Sequence, residues 1–304
     1  MRILVTGADG FLGRAMVRRL ADLDGATVVA TDRAFSTPAP ADGVEQRSGD
    51  LSDASFLAEL TQTAFDWVFH LASMPGSLAE RDPEAGRRVN LLVPIALAEA
   101  LARARSAIRP RLVFASSIAV YGDLGEAVVT PSTPTTPTLS YGAHKLMTEF
   151  FLSDLHRRGD LSAVSLRLPG LVARPLEESG HGSAFMSRLI RHAAAGASYD
   201  CPVGPDAVCW WMSRETAANA LLHAAQGAFA ATVVQPPALR LTTAEVAEAA
   251  AALGGSPLKV SWGSDAALTR LFGALPPLDA SAAIDLGFPR DADAAALVRA
   301  ALRD

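Results

Sequence analysis

Tyr141 and Lys145, in Tyr141-Gly-Ala-His-Lys145, stand four residues apart. On a helix that spacing puts a phenol and an ammonium on one face, about one turn from each other. A tyrosine titrates near ~10, so it serves as a base at neutral pH only beside a positive charge, and Lys145 is spaced to supply one. The bland alternative is a half-buried tyrosine next to a solvated lysine. Upstream, Ser116-Ser117 ends the short apolar run Leu112–Ala115. In open α/β sheets ligands collect at the carboxyl ends of strands, and a serine there can hydrogen-bond an oxygen that changes between alcohol and carbonyl. Strand alternation lets only one of the two face a pocket. The residues alone leave open which one does, and whether both merely satisfy the strand end.

Thr6-Gly7-Ala8-Asp9-Gly10-Phe11-Leu12-Gly13 follows the first apolar run and opens the first helical pattern. Gly7 permits a tight turn, Gly10 lets backbone approach a pyrophosphate, and Gly13 lets helix and strand pack closely, while the helix N-terminus offers N–H groups to the anion. Asp32 closes the second strand, near the spacing expected for the carboxylate that binds adenosine ribose hydroxyls. A carboxylate there repels a 2′-phosphate, so NAD is expected rather than NADP; Arg33 beside it is the argument for NADP. Asp50, in Gly49-Asp50-Leu51, either hydrogen-bonds the adenine amino group or caps the helix that follows Ser52.

Such residues need a frame. Short runs at Ile3–Thr6, Thr27–Thr31, Trp67–His70, Leu112–Ala115 and Ala163–Leu168 read as strands, with helical patterns at Leu12–Leu23, Ser55–Thr63, Glu84–Ala104 and Tyr141–His156 between them. The strands lack polar alternation, as strands buried on both faces do. The fold expected is α/β, a doubly wound parallel sheet over residues 1–168, followed by a small α/β substrate lobe over 169–304 whose chain can cross back to the first sheet. Pro131, Pro134 and Pro137 mark an extended loop before the helix of Tyr141. Thr242 and Glu245 have capping-box spacing, and Asp293–Arg303 reads as a last helix. Trp210 and Trp211 either wall a pocket or pack in the core, and Arg188 with Arg191 reads as a solvated face.

Composition narrows the partners. A net charge of −5 argues against nucleic acid and anionic membrane surfaces. Apolar stretches are interrupted by charge or proline, as at Pro94 and Glu99, so no transmembrane span is expected. The first residues lack the segment of a signal peptide, so a cytoplasmic location is expected. Only two cysteines occur, Cys201 and Cys209, and no Cys/His cluster has metal-ligand spacing. No metal is expected; the partner expected is a small molecule.

Together these residues resemble the extended short-chain dehydrogenase/reductase family, in its NAD-dependent epimerase/dehydratase branch. The likeness is carried by Thr6–Gly13, Asp32, Asp50-Leu51, His70-Leu71-Ala72-Ser73, Asn90, Ser116–Gly122, Tyr141 with Lys145, and Arg167-Leu168-Pro169. It implies that Ser117, not Ser116, joins Tyr141 and Lys145 in catalysis. It implies a cofactor pocket in which Phe11, Leu12, Leu71, Ala72 and Ser73 join the glycines and Asp32. Asn90, Pro169, Tyr141 and Lys145 complete that pocket with Asp50 and Leu51. It also implies a homodimer formed through the helices of Glu84–Ala104 and Tyr141–His156.

The second half, from Leu166-Arg-Leu-Pro through Ser183-Ala-Phe185 and Cys201-Pro-Val-Gly-Pro-Asp206 to Trp210-Trp-Met-Ser213, is similar to the sugar-acid dehydrogenases of that family. This implies oxidation of the C2 hydroxyl of a small sugar acid such as D-erythronate to the 2-keto acid, with Ser73, Ser117 and Tyr141 at the substrate. The substrate's carboxylate needs a cation, for which Arg174 is the candidate, against a structural salt bridge. Leu176–Gly182, with His181, departs from the likeness. The rival readings are a nucleotide-sugar epimerase or dehydratase that retains NAD, and a non-catalytic NAD-sensing regulator.

Overall fold

The computed structural model describes residues 1–104, 109–175 and 182–303. The departing segment at Leu176–Gly182 lies outside them except for Gly182. In chain order the first half holds β1 (Arg2–Thr6), α1 (Phe11–Ala21), β2 (Thr27–Asp32), β3 (Val44–Ser48), α2 (Ala54–Leu60), β4 (Trp67–His70), α3 (Gly76–Arg81), α4 (Pro83–Arg87), α5 (Val93–Arg103), β5 (Arg111–Ser117) and α6 (Ser140–Arg158). Then come β6 (Ser162–Leu168), β7 (Gly170–Val172), α7 (Ala184–Ala194), β8 (Tyr199–Cys201), β9 (Val208–Ser213), α8 (Arg214–Gln226), β10 (Val233–Val234), β11 (Leu239–Thr242), α9 (Thr243–Gly254) and β12 (Val260–Trp262), with a last helix at Ala294–Ala301.

The chain forms two compact units. The first comprises Met1–Val120, Leu139–Arg167 and Leu221–Val234. It is built on a seven-stranded sheet of order β10-β6-β5-β4-β1-β2-β3, a doubly wound Rossmann arrangement. β1 pairs in parallel with β2 on one side and β4 on the other, so the strand order reverses between β1 and β4. Ile3, Leu4 and Val5 are completely buried, each contributing about 1.5–3 kcal/mol of apolar burial, which is why the run shows no polar alternation. Thr6 and His70 are register partners at the carboxyl end of that junction, the place where such sheets leave a crevice.

Three differences from the sequence reading have local causes. β3 escapes notice because Val44-Glu-Gln-Arg-Ser contains one β-branched residue and forms the sheet's edge, pairing with β2 alone. α3 is hidden by Pro75-Gly76, which reads as a turn. The long helix expected over Glu84–Ala104 is divided: Arg88–Leu92 forms a π turn between α4 and α5, with the Val93 N–H bonded to the Arg88 carbonyl. Pro94 accounts for it, since it brings no N–H to the Asn90 carbonyl and its ring crowds that oxygen.

The second unit comprises Tyr121–Thr138, Leu168–Ala220 and Gln235–Asp304. Its sheets are β11-β9-β7 and the pair β12-β8, with α7, α9 and the last helix contributing to the core. Trp210 and Trp211 are core residues, completely buried, and their indole N–H groups donate to the carbonyls of Pro276 and Leu241. The capping box is present: the Thr242 hydroxyl accepts from the Glu245 N–H, and the Glu245 carboxylate accepts from the Thr242 N–H. Asp293 caps the last helix through the Ala296 N–H. Cys201 and Cys209 are free, buried thiols. Arg191 does not join Arg188 on a solvated face: half-buried, it donates to the carbonyls of Ala173 and Arg174. No helix is long and apolar enough to cross a membrane among the described residues.

Candidate active site

At the β1–α1 junction Gly7 has φ +67°, a conformation that favours glycine, and a Cβ there would come 2.6 Å from the Ala72 nitrogen. A Cβ on Gly13 would lie 2.0 Å from the Gly7 carbonyl oxygen, so helix and loop touch backbone to backbone. At Gly10 the Gly7 oxygen, 3.2 Å from such a Cβ, is the one atom within 4 Å. Gly10 is also the N-cap of α1 and has no side chain with which to cap it. An open approach over Gly10 to the N-terminus of a helix fits a pyrophosphate.

Asp32 lies at the end of β2 with both carboxylate oxygens fixed by backbone: Oδ2 accepts from the Asp9 N–H at 3.0 Å and Oδ1 from the Arg33 N–H at 2.8 Å. Asp50 does not cap the following helix; that is done by Asp53, which accepts from the N–H groups of Ser55 and Phe56. Asp50 instead accepts from the backbone and hydroxyl of Ser52, which hold its carboxyl below the usual range, with lesser help from Arg33 and Arg88. Leu51 follows it, partly buried.

The loop after β4 is fastened from two sides. The Thr6 Oγ1 takes contacts from the N–H groups of Leu71 and Ala72 and lies 2.8 Å from His70 Nδ1. With its lone pairs so used, Thr6 donates to Nδ1, and this assigns the ring proton to Nε2. Asn90, in the π turn, is buried, and its Oδ1 accepts from the Met74 N–H and the exposed Ser73 hydroxyl while Nδ2 donates to the Met74 carbonyl. Asn90 therefore shapes this loop through hydrogen bonds that the sequence did not reveal.

α6 carries Tyr141 and Lys145 on one face. The helix has no side-chain cap of its own; Glu80 of α3 accepts from the Ser140 N–H at 2.6 Å, a carboxylate at the positive helix end. Lys145 is 2% exposed. Its ammonium donates to the Ala115 carbonyl at 2.7 Å and stands 4.6 Å from the centre of the Phe114 ring and 5.5 Å from that of Tyr141. Burial pushes Lys145 down to about 7, opposed by the charge of Glu149. His70 stacks on the Phe114 ring, and burial together with the Lys145 charge pushes it down to about 3, so its ring is neutral.

The serine pair divides as strand alternation requires. Ser116 is buried and donates to Glu149 Oε1, whose carboxylate is held by Arg167 of β6 with Nη2–Oε2 at 2.8 Å. Ser117 is only partly buried, and its Oγ accepts from the Ala119 N–H at 3.2 Å. Glu149 continues the Tyr141–Lys145 stripe one turn further along α6; that repeated spacing was the available signal for it. Pro169 and Arg174 belong to the second unit, Pro169 buried between β6 and β7 and Arg174 partly buried after β7.

The glycine turn after β1 and the phenol one turn along α6 from a buried ammonium are the kinds of group that can cradle a phosphate and move a proton. Residues 3–232 match the NAD dependent epimerase/dehydratase family. The chain is 34% identical to D-erythronate dehydrogenase of Cupriavidus necator over 321 residues, covering 100% of this chain and 98% of that protein. It is 32% identical to UDP-glucose 4-epimerase of Streptomyces lividans over 54% of this chain and 50% of that one. A nucleoside-diphosphate-sugar epimerase from Agrobacterium tumefaciens superposes with a TM-score of 0.87 at 29% identity, covering 98% of this chain and 92% of that one. The chain belongs to the NAD dependent epimerase/dehydratase family and is an enzyme of the extended short-chain dehydrogenase/reductase type.

Proposed function

We propose that this enzyme oxidises the C2 hydroxyl of a small sugar acid such as D-erythronate to the 2-keto acid, using NAD rather than NADP. The carrying observation is the likeness, along its whole length, to a D-erythronate dehydrogenase. Gly7, Gly10 and Gly13 with the first turn of α1 would hold the pyrophosphate, and Asp32 the adenosine ribose. Bound NAD would supply the hydride acceptor.

The proton is the work of the chain's own residues. Tyr141, as phenolate, takes the proton of the C2 hydroxyl at its Oη, while the C2 hydrogen would leave with its electron pair to bound NAD and the C2–O bond becomes a carbonyl. The neighbouring Lys145 ammonium favours the ionised phenol, and burial strengthens that attraction relative to water. Ser117, whose Oγ accepts from Ala119, keeps its own hydrogen to donate to the same substrate oxygen. Ser116 is committed to Glu149 and has no part in the transfer.

The test is D-erythronate with NAD, followed by NADH absorbance. Stoichiometric NADH that falls about 10²–10⁴-fold in rate in Tyr141→Phe is the expected result. The epimerase kinship favours a second reading, in which NAD is retained. No net NADH from any aldonic acid, with interconversion of a UDP-sugar, would establish that reading instead.

We also propose a homodimer through α5 and α6. Leu92, Met147 and Phe150 are 44%, 45% and 65% exposed on this part of the first unit, more apolar surface than a solvated helix pair needs. Sedimentation velocity reads the state directly, and a monomer at assay concentration would count against it.

A further inference from the structure

Asp9, the residue before Gly10, bonds both to the carboxylate proposed for the adenosine ribose and to the guanidinium of Arg14. Its backbone N–H donates to Asp32 Oδ2 at 3.0 Å. Its own carboxylate accepts from Arg14 Nη2 at 3.2 Å, from the Ser36 N–H at 3.1 Å and from the Ser36 hydroxyl at 3.0 Å. Arg14 is bound a second time to the same residue, through Nε to the Asp9 carbonyl at 2.6 Å, and a third time to the Ser36 hydroxyl at 2.8 Å. The Asp9 side chain is 17% exposed and that of Arg14 43%, so the pair is partly shielded.

The Asp9 backbone thus lies one hydrogen bond from the Asp32 carboxylate. A ribose hydroxyl can donate to such a place. A 2′-phosphate brings nearly two negative charges and only acceptors, and needs a guanidinium presented in bidentate fashion. Arg14 has the right chemistry, yet Asp9 neutralises it and, with Ser36, engages its Nε and Nη2 donors.

We propose that Asp9 is a specificity-determining residue, which excludes 2′-phosphorylated dinucleotides by sequestering Arg14. This deepens the NAD reading above and rests on it.

The test measures binding to the full chain by calorimetry, without turnover, using ADP-ribose and 2′-phospho-ADP-ribose as probes. The wild-type protein binds ADP-ribose and prefers it strongly. In Asp9→Asn the preference falls by at least about tenfold, the loss of one charged contact's discrimination. Adding Arg14→Ala to that variant restores the preference, because the released guanidinium is then gone. Asp9→Ser, which removes the charge with a smaller side chain, gives the same fall and guards against a folding artefact of the amide. An unchanged preference in both single variants overturns the proposal, as does a fall that survives Arg14→Ala, which would point to Arg33. Failure of the wild-type chain to bind ADP-ribose at all would instead remove the cofactor reading, and this inference with it.

Discussion

The Ser116 hydroxyl donates to Glu149, at 2.5 Å, so β5 and α6 are joined by a buried bond one residue away from where the Ala115 carbonyl receives Lys145. Two neighbouring strand residues thus fasten two helix residues a turn apart, and the second serine is turned the other way. Arg167 completes the clasp from β6, and its ion pair with Glu149 is 12% and 2% exposed.

This separates the two serines experimentally. Ser117→Ala is expected to lower kcat by about 10²-fold or more with little change in melting temperature. Ser116→Ala is expected to do the reverse. It takes a hydrogen bond from a buried carboxylate, a loss of about 1.5–3 kcal/mol by thermal or urea unfolding, and leaves the chemical step in place. Equal effects of the two changes on kcat would mean that the clasp is itself part of the reaction.

Two buried bases each add a pH dependence to stability. His70 titrates at about 3 in the folded chain against an ordinary 6.5, so between those values the unfolded state binds the extra proton. Stability is therefore lost as pH falls through that range, by up to about 1.4 kcal/mol per unit from this group. Lys145 titrates at about 7 against an ordinary 10.5, so its contribution makes stability rise as pH rises from about 7 to 10.5. Urea unfolding across pH should show His70→Asn flattening the acid slope and Lys145→Met flattening the alkaline one. Unaltered slopes would mean that neither group is desolvated as described.

The glycines of the loop should fail in different ways. At Gly13 a methyl group would meet the Gly7 carbonyl at 2.0 Å, and neither backbone can yield. Gly13→Ala is expected to cost at least about 1–3 kcal/mol, read as a lowered melting temperature. At Gly10 the same addition meets that oxygen at 3.2 Å and otherwise open space. Gly10→Ala should fold, yet bind ADP-ribose at least about tenfold more weakly, because the methyl stands where the pyrophosphate approaches. Calorimetry distinguishes the two, and undiminished binding by Gly10→Ala would move the pyrophosphate elsewhere.

Much of this enzyme is determined by patterns a few residues long. Buried strands, the glycine turn, the capping box and the Tyr141–Lys145 spacing all follow from backbone periodicity, which neighbours along the chain suffice to define. The edge strand β3 and the helix behind Pro75-Gly76 lacked such patterns. Only the tertiary structure decided which serine is buried, that Glu80 caps α6, that Asp53 rather than Asp50 caps α2, and that Asp9 takes both Arg14 and Ser36. In most of these, a polar group's partner is brought to it by another element. Burial and charge pairing are properties of the packed arrangement, so no local reading of the chain can supply them.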